Sequence, residues 1–138
     1  MLIATDGSEN ARNAVSYGIN IAKATGADVY ALYIISTEHA ATARTVMGWT
    51  EAFEKYLADR GEAATGHVEK LGKDAGVKVE PVVLKGSPAE EILEYAEKSD
   101  IDLIVMGTQG LTGIKRFLIG SVAENVLRHS KVPVMVVR

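Results

Sequence analysis

The sequence predicts an α/β protein: one domain, residues 1–138, in which a doubly wound, five-stranded parallel sheet lies between two layers of helices. Apolar runs typical of strands alternate with segments of helical periodicity, in the order βαβαβαβαβ. The run at 29–35 is apolar or aromatic at every position, which is typical of a parallel strand covered on both faces. Right-handed crossovers between such strands favour a three-layer, Rossmann-like architecture.

The first strand and the first helix are predicted within residues 1–26. Residues 1–5 are largely apolar, and the Ser8 hydroxyl is placed to accept a backbone N–H and begin a helix. Gly26 can adopt the left-handed conformation that ends one. The residues that share one helical face between these ends are Ala11, Ala14, Val15, Gly18 and Ala22.

The middle of the chain predicts a strand at 29–35, a loop, a long helix and an edge strand. Residues 36–48 are small and polar without a clear period, which indicates a mobile loop or a loosely formed helix start. From Trp49 to position 75 apolar residues recur with a helical period, although each of three internal glycines should weaken the helix by about 1 kcal/mol. Gly76 is placed to end this helix. The strand at 77–84 belongs at a sheet edge because Pro81 has no N–H to donate.

The last third of the chain predicts two shorter helices and two strands. Ser87 precedes Pro88 and is followed three residues later by Glu90, a pattern typical of a helix start. A strand is predicted at 101–106, a glycine-rich connection at 107–120, a helix at 121–129 and a final strand at 134–137. The side chains expected to face inward from the two helices are Ala89, Ile92, Leu93, Ala96, Val122, Val126 and Leu127.

The composition excludes several classes of protein. The net charge of −3 is unsuited to wrapping nucleic acid, and the lack of cysteine excludes disulfides, a thiolate nucleophile and Cys-ligated metals. No apolar run approaches the ~20 residues that span a membrane, and no secretory signal is visible. We therefore expect a cytoplasmic protein that binds neither nucleic acid nor membrane.

Four of the 13 glycines lie in the connection at 107–120, between an apolar strand and a helix start. Glycine lets backbone N–H groups approach an anion without a Cβ in the way. The helix that Gly120 and Ser121 begin adds N–H groups and a partial positive charge, so this segment predicts a phosphate cradle. The alternative is a long surface turn. The segment is neither a Walker A loop nor a dinucleotide fingerprint, since Gly-Lys-Ser/Thr and Gly-x-Gly-x-x-Gly are missing from it.

Asp6 follows the first strand, at the edge where ligands of open α/β sheets bind. If the first and fourth strands are neighbours, Asp6 faces the loop that begins at Gly107. Its carboxylate then has two roles open to it. It can accept hydrogen bonds from a ribose, an adenine amine or a hydrated metal ion, or it can stabilise the turn before the first helix.

The chain resembles the universal stress protein family along essentially its whole length. Gly107-x2-Gly110-x9-Gly120-Ser121 matches that family's Gly-x2-Gly-x9-Gly-Ser/Thr pattern, and Thr5-Asp6-Gly7-Ser8 and the segment at 132–137 are also similar to it. The resemblance implies the strand order 3-2-1-4-5 and a homodimer joined through the last strands. It also implies membership of the ATP-binding subgroup, with Mg²⁺ or Mn²⁺ bound to the phosphates. The expected role is regulation in a stress response, through a surface that an unidentified protein partner recognises.

The same resemblance implies the site residues. Gly107, Gly110, Gly120 and Ser121 would hold the phosphates, and Val122 would complete the helix start. Asp6, with Ala4 and Thr5 beside it, would contact the nucleoside, and Ile34 would offer backbone contacts to adenine. The full set of expected nucleotide-binding residues is Ala4, Thr5, Asp6, Ile34, Met106, Gly107, Gly110, Gly120, Ser121 and Val122.

Two other functions stay open beside nucleotide-dependent regulation. One is slow ATP hydrolysis or phosphotransfer, for which the sequence offers no Walker lysine and no evident base apart from Asp6. The other is a dimeric scaffold without nucleotide. A phosphoacceptor receiver domain is excluded because the third strand ends in Leu84-Lys85-Gly86, without the acceptor aspartate. The three histidines show no metal-binding spacing.

Overall fold

The computed structural model describes residues 1–38, 50–109 and 119–138. Its five strands form one parallel sheet in the order β3-β2-β1-β4-β5, which confirms the predicted fold and strand order. The elements are β1 (Leu2–Ala4), α1 (Glu9–Thr25), β2 (Val29–Ser36), α2 (Glu51–Ala75), β3 (Val79–Gly86), α3 (Pro88–Lys98), β4 (Ile104–Gly107), α4 (Ser121–His129) and β5 (Val134–Val137).

The central strand β1 sets the position of the site. Ile3 lies opposite Ala31 of β2 on one side and opposite Val105 of β4 on the other. The chain winds outward from β1 to β3 and then returns to place β4 on the opposite side of β1. Since the winding direction reverses between β1 and β4, their carboxyl ends border the crevice where ligands of such sheets bind.

Side chains of the sheet alternate between two apolar cores. One core lies under α1 and α2, and its strand residues include Ile3, Val29, Ala31, Val105 and Val137. The other lies under α3 and α4, and its strand residues include Leu2, Ala4, Leu32, Ile104 and Met106. The three-layer arrangement follows from this alternation, because each face of the sheet needs its own cover of helices.

The predicted ends of α1 and the predicted end of α2 at Gly76 are confirmed, whereas α2 begins at Glu51, after a Thr50 cap that the sequence analysis did not identify. The Ser8 hydroxyl accepts the Ala11 N–H at 3.2 Å, and the Thr50 hydroxyl accepts the Phe53 N–H at 3.2 Å. Gly26 and Gly76 end the two helices at φ +71° and +75°, in the left-handed region that favours glycine. Ser87 and Pro88 begin α3 as predicted, but the Ser87 hydroxyl makes no capping hydrogen bond.

Two strands begin later than the sequence predicts, because their first residues complete the preceding helix. The Val77 N–H donates to the Gly72 carbonyl at 2.8 Å, and the Ile101 N–H donates to the Ala96 carbonyl at 3.1 Å. Both apolar side chains are buried, but their backbones close α2 and α3. β3 lies at the sheet edge, as Pro81 predicts.

The inward face of α4 differs in part from the one predicted, and that of α2 includes two of its glycines. Val126 is buried as predicted, but Leu127 is 40% exposed and Ala123 is buried. In α2 the buried face includes Gly61 and Gly72, where a Cβ would lie 2.9 Å from a Val83 methyl and 2.2 Å from a Val79 methyl respectively. These two glycines therefore allow α2 to lie close to β3, a contribution that helix propensity alone misses.

Across the described ranges of the chain, every helix is too short or too polar to cross a membrane.

Candidate functional site

The carboxyl ends of β1 and β4 meet at the start of α1. The Thr5 N–H donates to the Leu32 carbonyl at 2.9 Å, so β1 stays anchored to β2 up to the turn. The chain then reverses at Gly7, whose φ of +77° favours glycine. A Cβ at Gly107 would lie 3.2 Å from the Asn10 carbonyl carbon and oxygen. The end of β4 therefore lies directly against the first turn of α1.

Asp6 stabilises the turn before α1, which is one of the two roles that the sequence left open for its carboxylate. Its Oδ1 accepts the Ser8 N–H at 2.9 Å, and the neighbouring Thr5 hydroxyl accepts the Gly7 N–H at 3.2 Å. The first of these hydrogen bonds holds the Asp6 side chain, which is half-buried, and the second supports the same turn. Contact with a nucleoside remains a prediction for this carboxylate.

The two ends of the glycine-rich connection are joined to each other. The Thr108 N–H donates to the Val137 carbonyl at 2.8 Å, and the Gly120 N–H donates to the Thr108 carbonyl at 2.6 Å. The Gly120 N–H therefore already has a hydrogen-bond acceptor within the protein. The predicted phosphate-binding residue Gly110 lies outside the described residues, as do Lys115 and Arg116.

The N-terminus of α4 supplies the donors on this side of the crevice. Gly120 is the N-cap at φ −64° and ψ 156°, and it has no side chain to accept a hydrogen bond from the first turn. The N–H groups of Ser121 and Val122 point beyond the N-terminal end of the helix. They have no intrahelical acceptor, because no helical turn precedes them. Ser121 is exposed, so the positive end of the α4 dipole is open to an anion.

Four of the predicted site residues share one face of the sheet. Ala4, Ile34, Met106 and Val122 belong to or pack against the core beneath α3 and α4. The structure thus brings together residues from β1, β2, β4 and α4 on that face.

A second cleft of about 370 Å³ opens on the other face of the sheet, between α1 and α2. The sequence does not indicate this cleft, because Arg12 and the α2 residues that line it share no motif or spacing with the turn at 5–7. Burial raises the pKa of the neighbouring Tyr33 hydroxyl above its ordinary value; Arg60 opposes that shift and Asp6 adds to it. The residues that line the cleft are Thr5, Asp6, Gly7, Arg12, Val15, Arg60, Ala63, Ala64 and His67.

Within residues 1–38, 50–109 and 119–138, no three His, Asp or Glu side chains cluster closely enough to hold a metal ion. His67 and His129 belong to different helices, and His39 lies outside the described residues.

Comparison with known proteins gives consistent similarities along the whole chain. A model of the universal stress protein family matches residues 1–138. Universal stress protein MJ0531 of Methanocaldococcus jannaschii is 42% identical over 138 residues, which cover 100% of this chain and 81% of that protein.

Two solved structures show the same fold. The structure of protein MJ0577, also from Methanocaldococcus jannaschii, has a TM-score of 0.81 at 31% identity and covers 99% of this chain and 92% of that one. A universal stress protein crystallised in complex with cAMP has a TM-score of 0.72 at 28% identity, with 99% and 94% of the two chains covered.

Proposed function

This chain belongs to the universal stress protein family, and on that premise we propose that it binds an adenine nucleotide across the carboxyl ends of β1 and β4. One observation carries the proposal: the N-terminus of α4 has no side-chain cap and lies on the same face of the sheet as Ala4, Ile34 and Met106, which stand at the ends of β1, β2 and β4. The relative in complex with cAMP supports an adenine nucleotide as the ligand class.

In the proposed complex the phosphates lie at Ser121 and Val122, and the adenosine lies toward Asp6 and Ile34. Backbone N–H groups that donate to a phosphate form charge-assisted hydrogen bonds, each contributing about 1.5–3 kcal/mol. The N–H groups of Ser121, Val122 and Ala123 precede the first intrahelical donor, the Glu124 N–H, and three such bonds would support micromolar binding, about −8 kcal/mol. ATP is the ligand we propose, with Mg²⁺ or Mn²⁺ entering on its phosphates.

The role we propose is regulatory: nucleotide binding changes a surface that a protein partner in the stress response recognises. Slow ATP hydrolysis is the alternative. Fast phosphoryl transfer needs a base aligned on the attacking water and a strong charge clamp on the γ-phosphate. Phosphate release from ATP measured on the purified protein separates the two roles, since a rate of ~1–100 per second is typical of an enzyme.

Ser121→Pro tests the nucleotide site, because proline at the first helical position removes the N–H but keeps the helix. The extended Gly120 conformation, φ −64° and ψ 156°, is the one that precedes proline. We expect ATP affinity measured by calorimetry to fall roughly 10- to 100-fold. Ser121→Ala, which keeps the N–H and removes only the hydroxyl, should change affinity by less than about threefold.

Equal ATP affinity in the proline and alanine variants would contradict binding at the α4 N-terminus. No detectable ATP binding by the unsubstituted chain would instead favour the scaffold function. Thermal denaturation of both variants checks that the helix start is intact, since both substitutions are compatible with it.

We propose that two copies of the chain associate through β5, which lies at a sheet edge with Val134, Met135 and Val136 only half-buried. The Ile104 N–H donates to the Pro133 carbonyl and the Thr108 N–H to the Val137 carbonyl. Odd-numbered residues of this segment therefore pair with β4, and Val134 and Val136 direct their backbone groups outward.

Val136→Pro should convert the dimer to a monomer, because it removes an outward N–H while leaving the ladder to β4 in place. Analytical ultracentrifugation measures the mass, and circular dichroism checks the fold. A folded proline variant that stays dimeric would place the interface elsewhere, and a monomeric unsubstituted chain would remove the dimer from the proposal.

A further inference from the structure

The cleft between α1 and α2 lies outside the proposed nucleotide site. It opens on the face of the sheet covered by α1 and α2, whereas Ala4, Ile34, Met106 and Val122 face α3 and α4. The Asp6–Gly7 turn is the wall that the two sites share. At about 370 Å³, the cleft lies in the size range of small-molecule sites.

The charge of the cleft is opposite to that of the whole chain. The protein carries a net charge of −3, yet Arg12, Arg60 and His67 line this cleft, and Asp6 has the one carboxylate among the described residues that line it. Oδ1 of that carboxylate accepts the Ser8 N–H. In the described part of the chain neither arginine forms an ion pair with a carboxylate, although several surface lysines do.

The position of each arginine is set by a different element. Arg12 lies in the first turns of α1, close to the Gly7 turn that begins the helix. Arg60 extends from α2 with its guanidinium carbon 5.9 Å from the centroid of the Tyr56 ring, and it is close enough to the Tyr33 hydroxyl to affect that group's pKa. Two exposed arginines from two helices thus line one cavity.

Small residues make room between these cations. A Cβ at Gly7 would lie only 3.6 Å from the Ala64 Cβ, so the turn and α2 are in near contact at the base of the cleft. Ala63 and Ala64 fill little of the space beside Arg60, and the buried Thr5 lies at the floor. The result is a concave surface with an apolar base and cationic, multidentate donors at its rim.

We propose that this cleft binds the phosphate group of a small molecule, held between the Arg12 and Arg60 guanidiniums. Guanidinium forks match the oxygen geometry of a phosphate and donate paired, charge-assisted hydrogen bonds to it. The ligand class is a phosphate ester or inorganic phosphate. This site is additional to the nucleotide site and does not depend on Ser121 or on the glycine-rich connection.

The test uses the full chain labelled with ¹⁵N and titrated with inorganic phosphate and, separately, ribose 5-phosphate at constant ionic strength. We expect saturable amide shifts at Gly7, Arg12 and Ala64, with a dissociation constant on the order of 1 mM. Arg12→Gln combined with Arg60→Gln should weaken binding by at least roughly tenfold. Tighter binding of ribose 5-phosphate identifies an ester as the ligand, and equal binding identifies the bare anion.

Lys70→Gln is the matched control, because Lys70 is an exposed cation of the same helix that lines a different groove. Lys70→Gln should leave the dissociation constant for phosphate within about twofold of that of the unsubstituted chain. It removes one positive charge, as each arginine substitution does, so it controls for the change in net charge. Ser121→Pro should leave these shifts unchanged, which separates this site from the nucleotide site. Shifts that persist in the double arginine variant, or that fail to saturate by about 20 mM, would overturn the proposal.

Discussion

Replacing Ile3 by alanine is expected to lower the free energy of unfolding by about 3–5 kcal/mol, because the side chain is fully buried in the central strand. Ile3 lies between Ala31 and Val105 in the sheet and belongs to the core under α1 and α2. Its removal leaves a cavity that a central strand, held by neighbours on both sides, cannot close. Urea denaturation followed by circular dichroism measures the change.

Gly18 provides the matched partner for this experiment. A Cβ at Gly18 would lie 2.5 Å from Ile3 Cδ1 and 2.9 Å from Ile3 Cγ1, so Gly18→Ala alone should destabilise the protein by about 1–3 kcal/mol. In the Ile3→Ala background the same alanine has room, and it should stabilise the protein by about 1 kcal/mol through helix propensity. Additive effects of the two substitutions would show that α1 does not pack on Ile3 as described.

Gly107→Val is expected to affect both the fold and the nucleotide site. The Cβ of any larger residue would lie 3.2 Å from the Asn10 carbonyl and 3.3 Å from the Ala11 nitrogen, both of which are backbone atoms that cannot rotate away. The end of β4 must then move away from α1, at a cost of about 2–3 kcal/mol. We expect at least a tenfold loss of ATP affinity in the variant that remains folded.

Gly66→Val is the control for Gly107→Val, since a Cβ at Gly66 meets no atom within 4 Å. The free energy of unfolding of the control should lie within about 1 kcal/mol of that of the unsubstituted protein, and it should bind ATP equally well, because the added side chain begins in open space. Comparison at a temperature well below both midpoints separates lost affinity from lost folding. A Gly107→Val protein with unaltered stability and affinity would show that the approach of β4 to α1 is not required.

For the candidate nucleotide site, the sequence assigned residues at the ends of β1, β2 and β4 to one crevice. Ala4, Ile34, Met106 and Val122 belong to or pack against one core in the structure, and their contact with a nucleotide stays a prediction. The Gly120 N–H, expected to be offered to a ligand, donates instead to Thr108. Such a contact joins two ends of a connection, and no local pattern specifies it.

The sequence by itself determined the order of the elements, the parallel sheet and the edge position of β3. These features follow from signals that are local along the chain: apolar period, capping residues such as Ser8 and Gly26, and the missing N–H of Pro81. Burial on both faces of the sheet then restricts the topology to a few arrangements.

Only the tertiary structure decided how closely the helices approach the sheet. Gly61 and Gly72 weaken an isolated helix, yet in the fold they permit contact with β3, and Leu127 is exposed while Ala123 is buried. The packing of α1 against α2 likewise brought Arg12 and Arg60 to one cleft. The physical reason is that distances between elements depend on how side chains from separate segments interdigitate, whereas periodicity records only which face of each element is apolar.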